Sequence, residues 1–99
     1  MEPKDVFKVL ANETRLQILQ WLKHPTVYFP QDGVESCEHG VCVGLIKKKS
    51  GLAQSTISHY LAMLEEAGLV TAARHGQWTH YRRNEKTLEA LSNFIRNDL

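Results

Sequence analysis

The sequence predicts a mainly α-helical domain that carries one β-hairpin. Three observations point to it. Apolar residues recur at helical spacing along most of the chain. Gly51 and Gly68 interrupt that spacing, as helix stops do. Beyond Gly68, Leu69–Arg74 and Trp78–Arg83 alternate as paired strands do, joined by His75, Gly76 and Gln77. The expectation is about five helices and two antiparallel strands in a single domain, residues 1–99, long enough for one modest core.

The elements follow in order. Residues 3–11 read as a short helix with Val6, Phe7 and Leu10 on one face and Pro3 in its first turn. Asn12 is a suitable N-cap for a second helix, whose apolar side is Leu16, Ile18, Leu19, Trp21 and Leu22. That helix ends near His24, because a proline disfavours helical geometry in the residue before it. Residues 25–40 read as an irregular loop with turn signals at Pro30, Asp32-Gly33 and Gly40; a short strand at Thr26–Phe29 is the alternative. So long a loop in so small a domain is often functional. Val41–Lys49 resumes helical spacing, and Gln54–Ala67 is the next helix, with Ile57, Leu61 and Leu64 on one side. Asn84 is placed to cap a last helix, 85–98, striped by Leu88, Leu91 and Ile95.

Composition excludes several classes. With 42% apolar and 23% charged residues the chain reads as an ordinary soluble domain. No apolar run approaches the ~20 residues that span a membrane. The segment MEPKDVFKVL carries acids and lacks a long apolar stretch, so it does not read as a signal peptide, and a cytoplasmic location is expected. The net charge is only +1, but its distribution is uneven. Between Gly40 and Arg83 lie Lys47, Lys48, Lys49, Arg74, Arg82 and Arg83 against Glu65 and Glu66. Between Pro25 and Ile46 lie Asp32, Glu35 and Glu38 and no Lys or Arg. Phosphate binding needs local positive charge rather than a basic average, although Lys47–Lys49 reads equally as a solvated helix face.

The first turns of the Gln54–Ala67 helix carry Gln54, Ser55, Thr56, Ser58 and His59. Short donors and acceptors near a helix N-terminus suit base edges in a major groove, and the N-terminus itself favours phosphate. The preceding helix would brace this one through the turn Ser50-Gly51-Leu52, with Leu52 buried beneath. The hairpin tip adds Arg74, His75 and Gln77, which suit a phosphate backbone or a minor groove. Serine and threonine also cap ordinary amphipathic helices. The order of helix, turn, polar helix, glycine and basic hairpin argues instead for a winged helix-turn-helix that binds double-stranded DNA: 41–67 the helix-turn-helix, 69–83 the wing.

Several segments carry a family resemblance: Leu10–Leu19 (LANETRLQIL), Gln54–Leu61 (QSTISHYL), Leu64, Ala67–Val70 (AGLV) and the Arg74–Tyr81 hairpin. Along nearly its full length the chain resembles the ArsR/SmtB family of bacterial winged-helix repressors. The resemblance implies a homodimer joined through the first and last helices, residues 3–24 and 85–98. It implies occupancy of a pseudo-palindromic operator, released when a ligand binds. Position 53 departs from the pattern: Ala53 stands where relatives carry a capping serine, which leaves the start of the reading helix and its base register open.

The signal is less legible. The Cys-x-Cys metal pattern of many relatives is represented here by Cys42 alone, with Gly44 in the second position. The last helix, where other relatives place histidines, contains none. A local set remains: Cys37, His39 and Cys42, beside Glu35 and Glu38, are candidate ligands for zinc or another thiophilic metal. Cys37 and Cys42 are equally candidates for a redox-sensing disulfide. The same residues read otherwise as an acidic loop with an incidental thiol pair. The competing functional class is a thiol-redox or zinc-binding interaction module without DNA binding. An enzyme is not expected: the thiol spacing is not Cys-x-x-Cys, and no serine or cysteine has a nucleophile setting.

Overall fold

The computed structural model describes residues 2–29 and 40–99. Helices α1 (Pro3–Leu10), α2 (Glu13–Lys23) and α3 (Pro25–Tyr28) precede strand β1 (Val41–Cys42). Helices α4 (Val43–Ser50) and α5 (Gln54–Glu66), strands β2 (Val70–His75) and β3 (Trp78–Arg83), and helix α6 (Glu85–Asn97) follow. The strands form one antiparallel sheet in the order β1-β3-β2. The mainly helical architecture with a hairpin is the one the sequence predicts.

Capping explains most boundaries. The Asn12 side chain accepts the Arg15 backbone N–H at 2.9 Å and so starts α2. Arg15 itself is buried; its Nε donates to the Val9 carbonyl at 2.7 Å and its guanidinium lies 5.1 Å from the Tyr60 ring centroid. One side chain thereby ties α1, α2 and α5. Gly51 closes α4 in the left-handed region at φ 72°. Gly68 does the same after α5 at φ 79°: its N–H donates to Glu65 O, and the Leu69 N–H donates to Leu64 O. These two bonds make a Schellman stop.

Two elements differ from the expectation. The segment after His24, expected to open an irregular loop over 25–40 with a strand at Thr26–Phe29 as the alternative, is the short helix α3; residues 30–39 of the expected loop lie outside the described residues. His24, at φ −130° and ψ 64°, ends α2, and Pro25 then starts a new turn, which its fixed φ and missing N–H suit. Val41 and Cys42 are not the first residues of α4 but a strand paired with Tyr81 and His80. A third strand thus joins the expected two. The hairpin turn is tighter than expected: His75 pairs with Trp78, leaving Gly76 and Gln77 as the turn.

The core gathers Val6 of α1, Ile18 of α2, Ile46 of α4, Ile57, Leu61 and Leu64 of α5, and Leu69, all essentially inaccessible. Val41, Val70 and Tyr81 face it from the sheet. Asn84 precedes α6, but its side chain makes no capping bond; its N–H instead donates to Leu69 O at 2.8 Å. Among the described residues no helix is long and apolar enough to cross a membrane.

Candidate nucleic-acid interface

Helix α5 is pinned on one side and open on the other. Ile57, Leu61 and Leu64 are fully buried, against α4, α2 and β2. Gln54, Ser55, Ser58 and His59 are exposed, and Thr56 is half-buried. The period of 3.6 residues that buries the first set necessarily presents the second. Gln54 Nε2 donates to Ser58 Oγ at 3.1 Å, which orders both side chains along the outer face. Ala53 occupies the N-cap without a side-chain bond, so no hydroxyl covers the first amides of the helix.

The turn before α5 is held locally. Ser50 Oγ donates to Lys47 O at 2.9 Å and accepts the Leu52 N–H at 3.1 Å. Leu52 is not buried beneath this turn as the sequence suggests; it is 36% exposed.

At the wing, Arg74, His75, Gly76, Gln77 and Trp78 are all exposed. Arg74 Nε donates to Gly76 O at 3.2 Å, so the exposed guanidinium is held at the turn. The His75 and His80 rings meet edge to face, 5.4 Å between centroids. Trp78, 55% exposed beside the turn, is the feature sequence reading passes over. Its signal is its register: a residue pairing with His75 shares the outer face of the sheet. Tyr81, on the inner face, is half-buried; burial, and secondarily the Glu65 carboxylate, raise its phenol above the ordinary range.

Cys37 and His39 lie outside the described residues. Cys42 is a half-buried free thiol. It precedes α4 at the N-cap and pairs with His80 of the wing strand, so one residue touches both arms of the candidate interface.

A bracing helix, a left-handed glycine turn, a helix with a polar outer face and a basic hairpin define a winged helix-turn-helix regulator. Comparison with known proteins agrees. Residues 40–72 match the model of the arsR family of bacterial regulatory proteins. The chain is 47% identical to the uncharacterised HTH-type transcriptional regulator YbzH of Bacillus subtilis, over the whole of both chains. It is 36% identical to the arsenical resistance operon repressor of Escherichia coli, covering 81% of this chain and 57% of that one. The homodimeric winged helix-turn-helix domain of Mb0332 from Mycobacterium bovis, a possible ArsR-family regulator solved by NMR, superposes with a TM-score of 0.65 at 31% identity, covering 96% and 78% of the two chains. The protein belongs to the arsR family, a family of transcription regulators rather than enzymes.

Proposed function

We propose that the protein is a repressor that binds a pseudo-palindromic operator as a homodimer, each protomer laying α5 in a major groove and its wing on the adjacent backbone. One observation carries this reading: α5 buries Ile57, Leu61 and Leu64 and turns Gln54, Ser55, Ser58 and His59 outward. Those four supply the donors and acceptors that distinguish base pairs, and Thr56 lies at the margin of the same face. Arg74, His75 and Gln77 serve the backbone. The uncapped first turn at Ala53 favours a phosphate there. Exposed Phe7 of α1, Ile95 of α6 and Leu99 supply an apolar face for the second protomer, in keeping with the homodimeric relative.

The test is fluorescence anisotropy on duplexes selected from a random pool, over a range of salt. The expected result is tight binding whose affinity falls steeply with salt. Ser58→Ala with His59→Ala relaxes base preference, whereas Arg74→Ala weakens all sequences and lowers the salt slope by about one. A folded dimer that selects no duplex at low salt overturns the reading.

A second reading concerns release. Cys42 joins α4 to the wing. A thiophilic ion bound by Cys42 with Cys37 and His39, or oxidation of the two thiols, would therefore act on both arms at once. Relatives named as arsenical repressors make such an ion the first signal to try. Native mass spectrometry with and without reductant, with zinc and with arsenite, checks it; an unchanged mass in every condition rejects both signals.

A further inference from the structure

Lys49 belongs by sequence to the basic run Lys47–Lys49 and reads there as one more phosphate contact. Its side chain is placed otherwise. The ammonium lies 5.5 Å from the Trp21 ring centroid, 5.5 Å from that of Tyr28 and 5.8 Å from that of Phe29. Trp21 and Phe29 meet edge to face, 6.4 Å between centroids, and Phe29 is buried. An aromatic face attracts a cation within about 6 Å, modestly where the site is open to water, and Lys49 and Tyr28 are both exposed. Here three rings converge on one ammonium.

The location of this box matters more than its strength. Trp21 lies near the end of α2, Tyr28 ends α3 and Phe29 follows it. Lys49 lies in the last turn of α4, two residues before Gly51, where the chain turns into α5. The bonds of Ser50 and Gly51 within that turn are local. The Lys49 box fastens the turn to the α2–α3 corner.

We propose that Lys49 is a positioning residue and not a phosphate contact: boxed by Trp21, Tyr28 and Phe29, it fixes the end of α4 and so the attitude in which α5 meets DNA. This rests on the reading of α5 as the DNA-binding helix. A lysine that neutralises no phosphate releases no counterion, so its removal lowers affinity without changing the salt slope.

Two measurements test the proposal. The first is Kd across a salt series, on a duplex selected with the wild-type protein, for Lys49→Gln, Lys49→Arg, Tyr28→Leu and the Gln/Leu double variant. Lys49→Gln is expected to weaken binding about two- to fivefold at constant slope. Arginine, which also stacks on rings, is expected to retain affinity. Tyr28→Leu weakens binding too, and the double variant is no weaker than Lys49→Gln alone, as for partners in one contact. The second is amide hydrogen exchange of the free proteins, where Lys49→Gln and Tyr28→Leu speed exchange at residues 50–57. A slope lowered by about one, with Tyr28→Leu harmless, makes Lys49 a phosphate contact and overturns the proposal. Unchanged affinity overturns it, as does a loss that merely follows the unfolded fraction in thermal melts. If the wild-type protein binds no duplex, the DNA reading of α5 falls; exchange then decides the box alone, and unchanged exchange overturns it.

Discussion

Two residues at helix starts show how much one side chain decides. Asn12 caps α2 with a 2.9 Å bond, whereas Ala53 begins α5 with none. Ala53 is exposed and extended, at φ −65° and ψ 151°, a conformation that suits a capping hydroxyl. Ala53→Ser is therefore expected to stabilise the fold by about 1 kcal/mol, read from urea unfolding at constant m-value. Arg83 and Glu85 make a case for pH. Arg83 Nε donates to Glu85 Oε2 at 2.7 Å and its terminal nitrogen to Oε1 at 2.5 Å. The hydrogen bond with Arg83, ahead of its charge, holds the Glu85 carboxyl below its usual range. A depressed carboxyl stabilises the fold above the unfolded range, and that contribution is lost as pH falls through the folded value. The Glu85 side chain is 67% exposed, so water screens the pair and its worth stays under about 1 kcal/mol. Glu85→Gln should melt slightly below wild type at about pH 7 and level with it at about pH 3. A gap that persists in acid would show that the glutamine lost packing rather than charge.

Elements were legible where their signals are local. The burial of Ile57, Leu61 and Leu64 and the exposure of Gln54, Ser55, Ser58 and His59 follow from spacing alone. So do the stops at Gly51 and Gly68, where the chain takes positive φ. Strand β1 was not legible, because its reason for being extended lies in Tyr81 and His80, far along the chain. The same holds for Lys49 of α4, whose rings come from α2 and from α3 and the residue after it, and for Trp78, whose outward placement depends on a register fixed by the turn. Gly40 tests whether β1 is as firmly docked as its pairing implies. It has φ 92°, and a Cβ there would fall 2.4 Å from the Tyr81 carbonyl oxygen. Gly76, at φ 65°, has open space around it. Gly40→Ala should cost ~3 kcal/mol, from strain plus the displaced strand, and Gly76→Ala ~1 kcal/mol, from the left-handed backbone alone. Unfolding midpoints decide. Equal losses would mean that Gly40 does not press on β3 in solution, and the link from Cys42 to the wing would go with it.

At the scale of the whole molecule, the termini leave an apolar surface unfinished. Phe7 of α1 and Phe94 of α6 bring their rings within 6.4 Å, and Pro3, Ala11 and Leu99 line the shallow cleft beside them. Helix α6 puts Leu91 in its own core and leaves Ile95 46% exposed in a second cleft of α6, beside Leu88, Ser92 and Arg96, while Leu99 is 81% exposed. A two-fold axis through this face would bury each protomer's residues against its partner's and place two α5 helices on one side of a duplex. Half-sites about one helical turn apart then follow from geometry. Ile95→Glu puts a charge where that face would be desolvated, at a position outside the protomer's core. The variant should keep its helical circular dichroism and sediment as a monomer. Because α5 and the wing are untouched, it should bind a single half-site as the wild-type protein does. On the full site, where two tethered readers raise each other's effective concentration, it should lose roughly a hundredfold or more. A dimer that survives Ile95→Glu places the interface elsewhere, and a monomer that holds the full site as tightly as wild type removes the need for two readers.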